Sequence, residues 1–169
     1  HAAVLRFTFP AGSATCNIMF DPVNERSRSI IEFNADKTEF YTTSEKKANG
    51  QTTMHIVGQF SQAPVAWHSA GEGSMGMFQV APNKNEETVI EMKVATSFIS
   101  KAQAQHALLM EIAGDEGFDK VQAKALKIWN DTLGSIEVVG GSYHERVTFY
   151  SNLYRAFVYP TSLAENTGT

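Results

Sequence analysis

Apolar and polar residues alternate one for one in several stretches of the first hundred positions. Leu5, Phe7 and Phe9 are separated by Arg6 and Thr8, Ile31 and Phe33 flank Glu32, and Met54 and Ile56 flank His55. Ile90, Met92 and Val94 likewise flank Glu91 and Lys93. A period of two places each apolar set on one face, so these stretches predict one-faced strands. Turn formers separate them at Pro10-Ala-Gly-Ser13, Asn34-Ala-Asp36, Ala48-Asn-Gly50 and Pro82-Asn-Lys-Asn85. Short strands at fairly even intervals favour an antiparallel β-sandwich over a parallel α/β sheet.

At Ser100 the period lengthens. Ser100 followed by Gln103 predicts a capping box, in which hydroxyl and amide satisfy backbone N–H groups at a helix start. The helix runs from Lys101 to Ile112, with Ala104, Ala107, Leu108 and Glu111 on one face and Gly114 placed to end it in a left-handed conformation. A second helix carries Phe118, Val121, Ala125, Ile128, Trp129 and Leu133 at helical steps, with Asp119 and Lys120 turned outward, and stops at Gly134. A short extended piece, Ile136-Glu-Val-Val139, leads through Gly140-Gly141 to a third. There Tyr150, Leu153, Tyr154 and Phe157 share a side between Phe149 and Pro160, where the proline halts the pattern.

Composition narrows the function classes. With 169 residues and 43% apolar content the chain has material for a packed core. A net charge of −4 and no block of like charges give no footprint for nucleic acid. Cys16 is alone, which rules out an internal disulfide and a cysteine metal cluster. No apolar run reaches the length of a membrane-spanning helix. There is no Gly-x-Ser-x-Gly nucleophile motif and no Gly-rich phosphate loop. The opening on His1, directly into a strand-like run, leads us to expect a natural N-terminus upstream, and an aromatic helix stopped by Pro160 only nine residues before the end predicts more chain beyond Thr169.

One set of residues carries a resemblance. Val94-Ala-Thr-Ser-Phe-Ile-Ser100, Gln103-Ala104, Glu111, Phe118-Asp119, Ala125, Trp129-Asn130, Leu133, Ile136 and Phe149-Tyr-Ser-Asn-Leu-Tyr-Arg155 together resemble the signature of glycoside hydrolase family 92, the exo-acting α-mannosidases. The sandwich half is similar only loosely, through Arg6-Phe-Thr-Phe-Pro10, Gly58-Gln-Phe60 and Trp67. The resemblance implies a β-sandwich joined by a helical linker to an (α/α)6 barrel, divided here as 1–99 sandwich, 100–135 linker and 136–169 start of the barrel. It implies an inverting, calcium-dependent enzyme acting on mannose-containing glycans, secreted or periplasmic. Inverting hydrolysis needs a carboxylic acid and a carboxylate about 6.5–9.5 Å apart, and none of the residues here matches those positions. The catalytic pair and the main calcium ligands are expected beyond Thr169, so this segment supplies sandwich and linker, is inactive alone, and exposes over 136–169 an apolar face for the rest of the polypeptide or a partner chain.

The candidate substrate-binding residues are Trp67, Tyr154 and Arg155. Trp67 and His68 fall in a predicted loop, Ala66 to Gly76, where an indole either lines a sugar site or covers the sheet edge. Tyr154 and Arg155 suit a sugar site but also suit a barrel wall, with Arg155 paired to a carboxylate or capping carbonyls. Trp129 reads as packing between linker and barrel rather than as a sugar-stacking face. His55 and His106 are predicted outward and without ligand-like partners, and no histidine pair has zinc spacing. Asp115, Glu116 and Asp119 read as helix-start charges rather than a site. Two other functions fit the pattern: a non-catalytic carbohydrate-binding or structural β-sandwich module, and a related sandwich-plus-barrel sugar phosphorylase.

Overall fold

The alternation at the N-terminus becomes β1 (Ala2–Phe9), which pairs antiparallel with β8 (Thr88–Ser97) so that Leu5 faces Met92 and Phe7 faces Ile90. β8 pairs with β5 (Thr52–Phe60), β5 with β4 (Glu39–Lys46), and β4 with the short β3 (Glu32–Phe33), giving a sheet ordered β1-β8-β5-β4-β3. A second sheet is ordered β2-β7-β6 from β2 (Cys16–Phe20), β7 (Gly76–Val80) and β6 (Ala66–Ser69). Every one of these pairings is antiparallel. The computed structural model describes residues 1–21, 31–46, 52–69, 76–160 and 162–167. The turn predicted at Ala48-Asn-Gly50 lies outside them.

The two sheets close on one core. Cys16, Ile18, Phe78 and Val80 from the small sheet meet Phe40, Phe60, Ile90 and Met92 from the large one. The rings of Phe40, Phe60 and Phe78 stand 4.9–5.6 Å apart, two tilted pairs and one edge-to-face pair. The antiparallel sandwich is therefore the fold of this half, followed by three helices.

α1 (Lys101–Glu111) packs on β8 and β5 through Ala104, Ala107 and Leu108. Val57 and Ala95, paired across those two strands, are buried. The predicted capping box forms only by half: Ser100 Oγ accepts the Gln103 N–H at 3.0 Å, while the Gln103 side chain donates elsewhere, to Asn166 O. Gly114 does not adopt the left-handed conformation. The helix instead closes by the Ile112 N–H bonding Leu108 O, and the Lys93 ammonium takes up Gly114 O at 2.9 Å, so a lysine from the sheet holds a carbonyl at this end. Chain contacts divide the molecule into His1–Phe118 with Glu165–Thr169, and Asp119–Ala164. α1 thus belongs to the sandwich unit.

The second unit holds α2 (Phe118–Leu133) from Asp119 onward and α3 (Tyr143–Val158). α3 begins six residues before the aromatic segment that predicts it. Its start is a full capping box, with Ser142 Oγ accepting the Glu145 N–H and the Glu145 carboxylate accepting the Ser142 N–H at 2.7 Å. Gly140 and Gly141, at φ 85° and 70°, turn the chain into that cap, and Arg146 binds Gly141 O at 3.0 Å. The piece at 136–139 is pinned to α3 rather than paired as a strand: the Tyr150 hydroxyl donates to Ile136 O at 3.1 Å and accepts from the Val138 N–H at 3.3 Å. Exposed apolar side chains are dense here, among them Val139, Tyr143, Phe157 and Tyr159.

The Ser142 N–H, then its hydroxyl, hold the Glu145 carboxyl below the usual glutamate range. The folded value lies below the unfolded one, so this contribution is present above the ordinary glutamate pKa and disappears as pH falls through the lowered value. Exchange of the Glu145 and Arg146 amides is expected to speed up across that acid window. Ser142→Ala should cost about 1 kcal/mol of α3 stability at neutral pH and weaken this acid dependence without abolishing it, because the backbone N–H at position 142 still reaches the Glu145 carboxylate.

Candidate functional site

Trp67 lies in β6, opposite Phe78 of β7, and not in a loop. Its indole leans on the Phe33 ring, 5.3 Å away and tilted by 45°, and the residue is 37% exposed. A four-residue strand is too short for its period to show in the sequence, and the residues that follow it, 70–75, lie outside those described. Met77 and Phe78, just beyond them, lie in β7, the latter fully buried. Trp67 is thus a partly covered aromatic surface on the small sheet, leaning on Phe33 and still about a third exposed.

Tyr154 and Arg155 belong to the second unit. The Tyr154 ring meets Trp129 of α2 at 4.5 Å and 54°, which is the packing role expected of Trp129, and Tyr154 keeps 45% exposure. Arg155 lies in the last turn of α3, where its charge complements the negative end of the helix dipole. It makes no hydrogen bond or ion pair among the described residues, so the carboxylate or carbonyl partner expected for it is not among them. Its exposure explains how an unpaired guanidinium is tolerated.

The outer face of the large sheet carries the charged groups that the sequence leaves unassigned. Arg6 donates from Nη2 to Glu91 Oε1 at 2.7 Å and lies 4.6 Å from the Phe118 ring centre. The other Glu91 oxygen accepts the Phe118 N–H at 3.0 Å, so a strand carboxylate satisfies a donor at the start of α2. A Cβ on Gly117 would lie 2.8 Å from that oxygen, so a side chain there would have to displace the Glu91 carboxylate. A cleft of about 290 Å³ beside this node is lined by Gln59, Ser61, Glu91, Lys93, Asp115 and Glu116. Glu91 and Lys93 are already committed, to the Phe118 N–H and the Gly114 carbonyl.

His55 bonds a tyrosine: the Tyr41 hydroxyl lies 2.8 Å from its Nδ1, and the two rings stack with 11° between their planes. Lys101 sits 4.5 Å over the Tyr41 ring, and burial, then the charge of Glu32, pushes the Tyr41 hydroxyl above its usual pKa. His106 is half-buried, not outward, and its Nε2 is enclosed without a hydrogen-bond partner among the described residues. Among the described residues no three His, Cys, Asp or Glu side chains converge as a metal site. The residues described do not fit calcium on their own. No helix among them is long and apolar enough to cross a membrane.

Residues 103–169, from the first turn of α1 onward, match the sequence profile of the glycosyl hydrolase family 92 catalytic domain. The chain resembles that family. No curated protein matches it. Among solved structures, the family GH92 inverting mannosidase BT2199 from Bacteroides thetaiotaomicron aligns over 99% of this chain with a TM-score of 0.85 and 22% identity. The GH92 family glycosyl hydrolase ccman5 aligns over 99% with a TM-score of 0.79 and 25% identity, and the family GH92 α-mannosidase BT3965 from the same Bacteroides with 0.76 and 20%. The chain spans about a quarter of the length of each of these structures. The sandwich and the helices that follow it thus share the fold of GH92 enzymes.

Proposed function

We propose that this chain is part of an exo-acting, inverting, calcium-dependent α-mannosidase that removes terminal mannose from glycans, and that it contributes the sandwich and its helical connection rather than the catalytic carboxylates. The observation that carries the reading is the match of α1, α2 and α3 to the GH92 catalytic-domain profile, joined to a sandwich of the same fold as GH92 structures. In this role the sandwich closes one wall of a sugar cleft, because glycoside hydrolysis needs water excluded and the pyranose distorted. Trp67, Tyr154 and Arg155 supply contacts to substrate, the two rings by their apolar faces and the guanidinium by hydrogen bonds to hydroxyls. Calcium, when bound, would polarise sugar oxygens; its ligands come from outside the described residues, and the enzyme works in an exported compartment.

The test is mannose release from an α-mannoside by the full-length polypeptide that carries this chain, with the anomer of the product followed by NMR. Release of the β-anomer first, lost on EDTA treatment and restored by calcium, is the expected result. Binding of the mannoside without release would overturn the enzymatic reading in favour of a carbohydrate-binding module.

A further inference from the structure

After α3 the chain comes back to the sandwich. Glu165 belongs by its contacts to the first unit, although residues 119–164 before it belong to the second. One carboxylate oxygen accepts the Ser97 hydroxyl at 2.6 Å and the other the Phe98 backbone N–H at 2.7 Å. Asn166 O accepts Gln103 Nε2 at 2.6 Å. These partners sit at the end of β8 and in the first turn of α1.

The corner is built around that carboxylate. Ser97 is buried, and its oxygen already accepts the Ile99 N–H at 2.9 Å and the Ser100 N–H at 3.4 Å. Its single proton is left to donate, and Glu165 takes it. Both bonds to Glu165 are charge-assisted, the strong kind, and the carboxylate lies near the positive end of α1, whose N-cap Ser100 follows within three residues of Ser97. Removing the carboxylate would leave a buried hydroxyl without an acceptor. Gln103, whose spacing from Ser100 predicts a reach back to the helix start, goes to the tail instead, so the first turn of α1 and the returning chain are fastened together.

We infer that Glu165 is a clasp that fixes the returning chain to the sandwich at the β8–α1 corner. Glu165 lies inside the stretch that matches the GH92 profile, and Ser97 and Phe98 lie before it. In the mannosidase proposed above the clasp therefore ties catalytic-domain sequence to the sandwich, and only this consequence rests on that reading.

Amide exchange on the full chain tests the clasp. In Glu165→Ala the Phe98 amide should exchange at least about tenfold faster, while the Met92 amide in the core keeps its protection. Glu165→Gln, which keeps one acceptor oxygen, should give a smaller increase, and Glu165→Ala made on top of Ser97→Ala should accelerate exchange less than it does alone, since the two residues act as a unit. Phe98 exchange within about twofold of the unsubstituted chain in both Glu165 variants overturns the inference. Should Glu165→Ala also lose core protection, Glu165→Gln decides by the same criterion. Exchange needs no substrate, so failure of the clasp and failure of the mannosidase reading are distinguishable.

Discussion

Truncating Phe78 to alanine is expected to lower the stability of the sandwich by about 3–5 kcal/mol. The residue is fully buried at the centre of the small sheet, and its ring lies edge-on to Phe33 and Phe60 and tilted against Phe40, with centres 4.9–5.8 Å away. Those neighbours come from three strands of the other sheet, so the ring is the main tie between layers as well as a large buried area. Close packing leaves the surrounding rings little freedom to collapse into the space, and the cavity cost therefore adds to the lost transfer free energy. Urea denaturation followed by circular dichroism measures it. Met77→Ala, one residue away and half-buried, should cost under about 1.5 kcal/mol. Comparable losses at the two positions would mean that the layers are not held together at Phe78.

The sequence shows strands where alternation is carried by large apolar residues, and hides them where it is not. β1 and β8 are legible because Leu5, Phe7, Ile90 and Met92 mark the inward positions. β4 is not, since an inward position is taken by Thr42, fully buried and counted as polar by any pattern of hydrophobicity. β2 and β6 are short, at five and four residues, and β6 shows only through its pairing with β7. The third helix is legible in its aromatic stripe but not at its start, although Ser142 and Glu145 stand at capping-box spacing before it.

The helical half of the family resemblance was also legible, because uncommon residues recur there at fixed spacing; the profile match covers that half. Contacts between residues distant in the chain were not. Glu165 to Ser97, Glu91 to Phe118 and Tyr41 to His55 each join residues whose spacing carries no local period. For the same reason the substrate-binding candidates rest on residue type alone: Trp67 belongs to one unit and Tyr154 and Arg155 to the other, and each has a packing or surface role that its neighbours explain.

Gly58→Ala is expected to cost about 1–3 kcal/mol, a large effect for one methyl group. Glycine inside a strand is unfavourable by its chain entropy, so replacement should help by about 0.4–1 kcal/mol wherever space allows. Here it does not: a Cβ at Gly58 would stand 2.1 Å from Phe40 Cε1 and 2.3 Å from Cζ. Phe40 lies opposite Gly58 across β4 and β5, its ring laid over the glycine. It cannot swing away, being enclosed by Phe20, Phe33, Phe60 and Phe78. The substitution must push the ring into its neighbours or bend a strand that is paired on both sides, to β4 and to β8. Adding Phe40→Leu to Gly58→Ala should then recover part of the loss, because a smaller side chain makes room for the methyl. A double variant as unstable as the sum of the two singles would mean that the glycine serves the backbone rather than the ring.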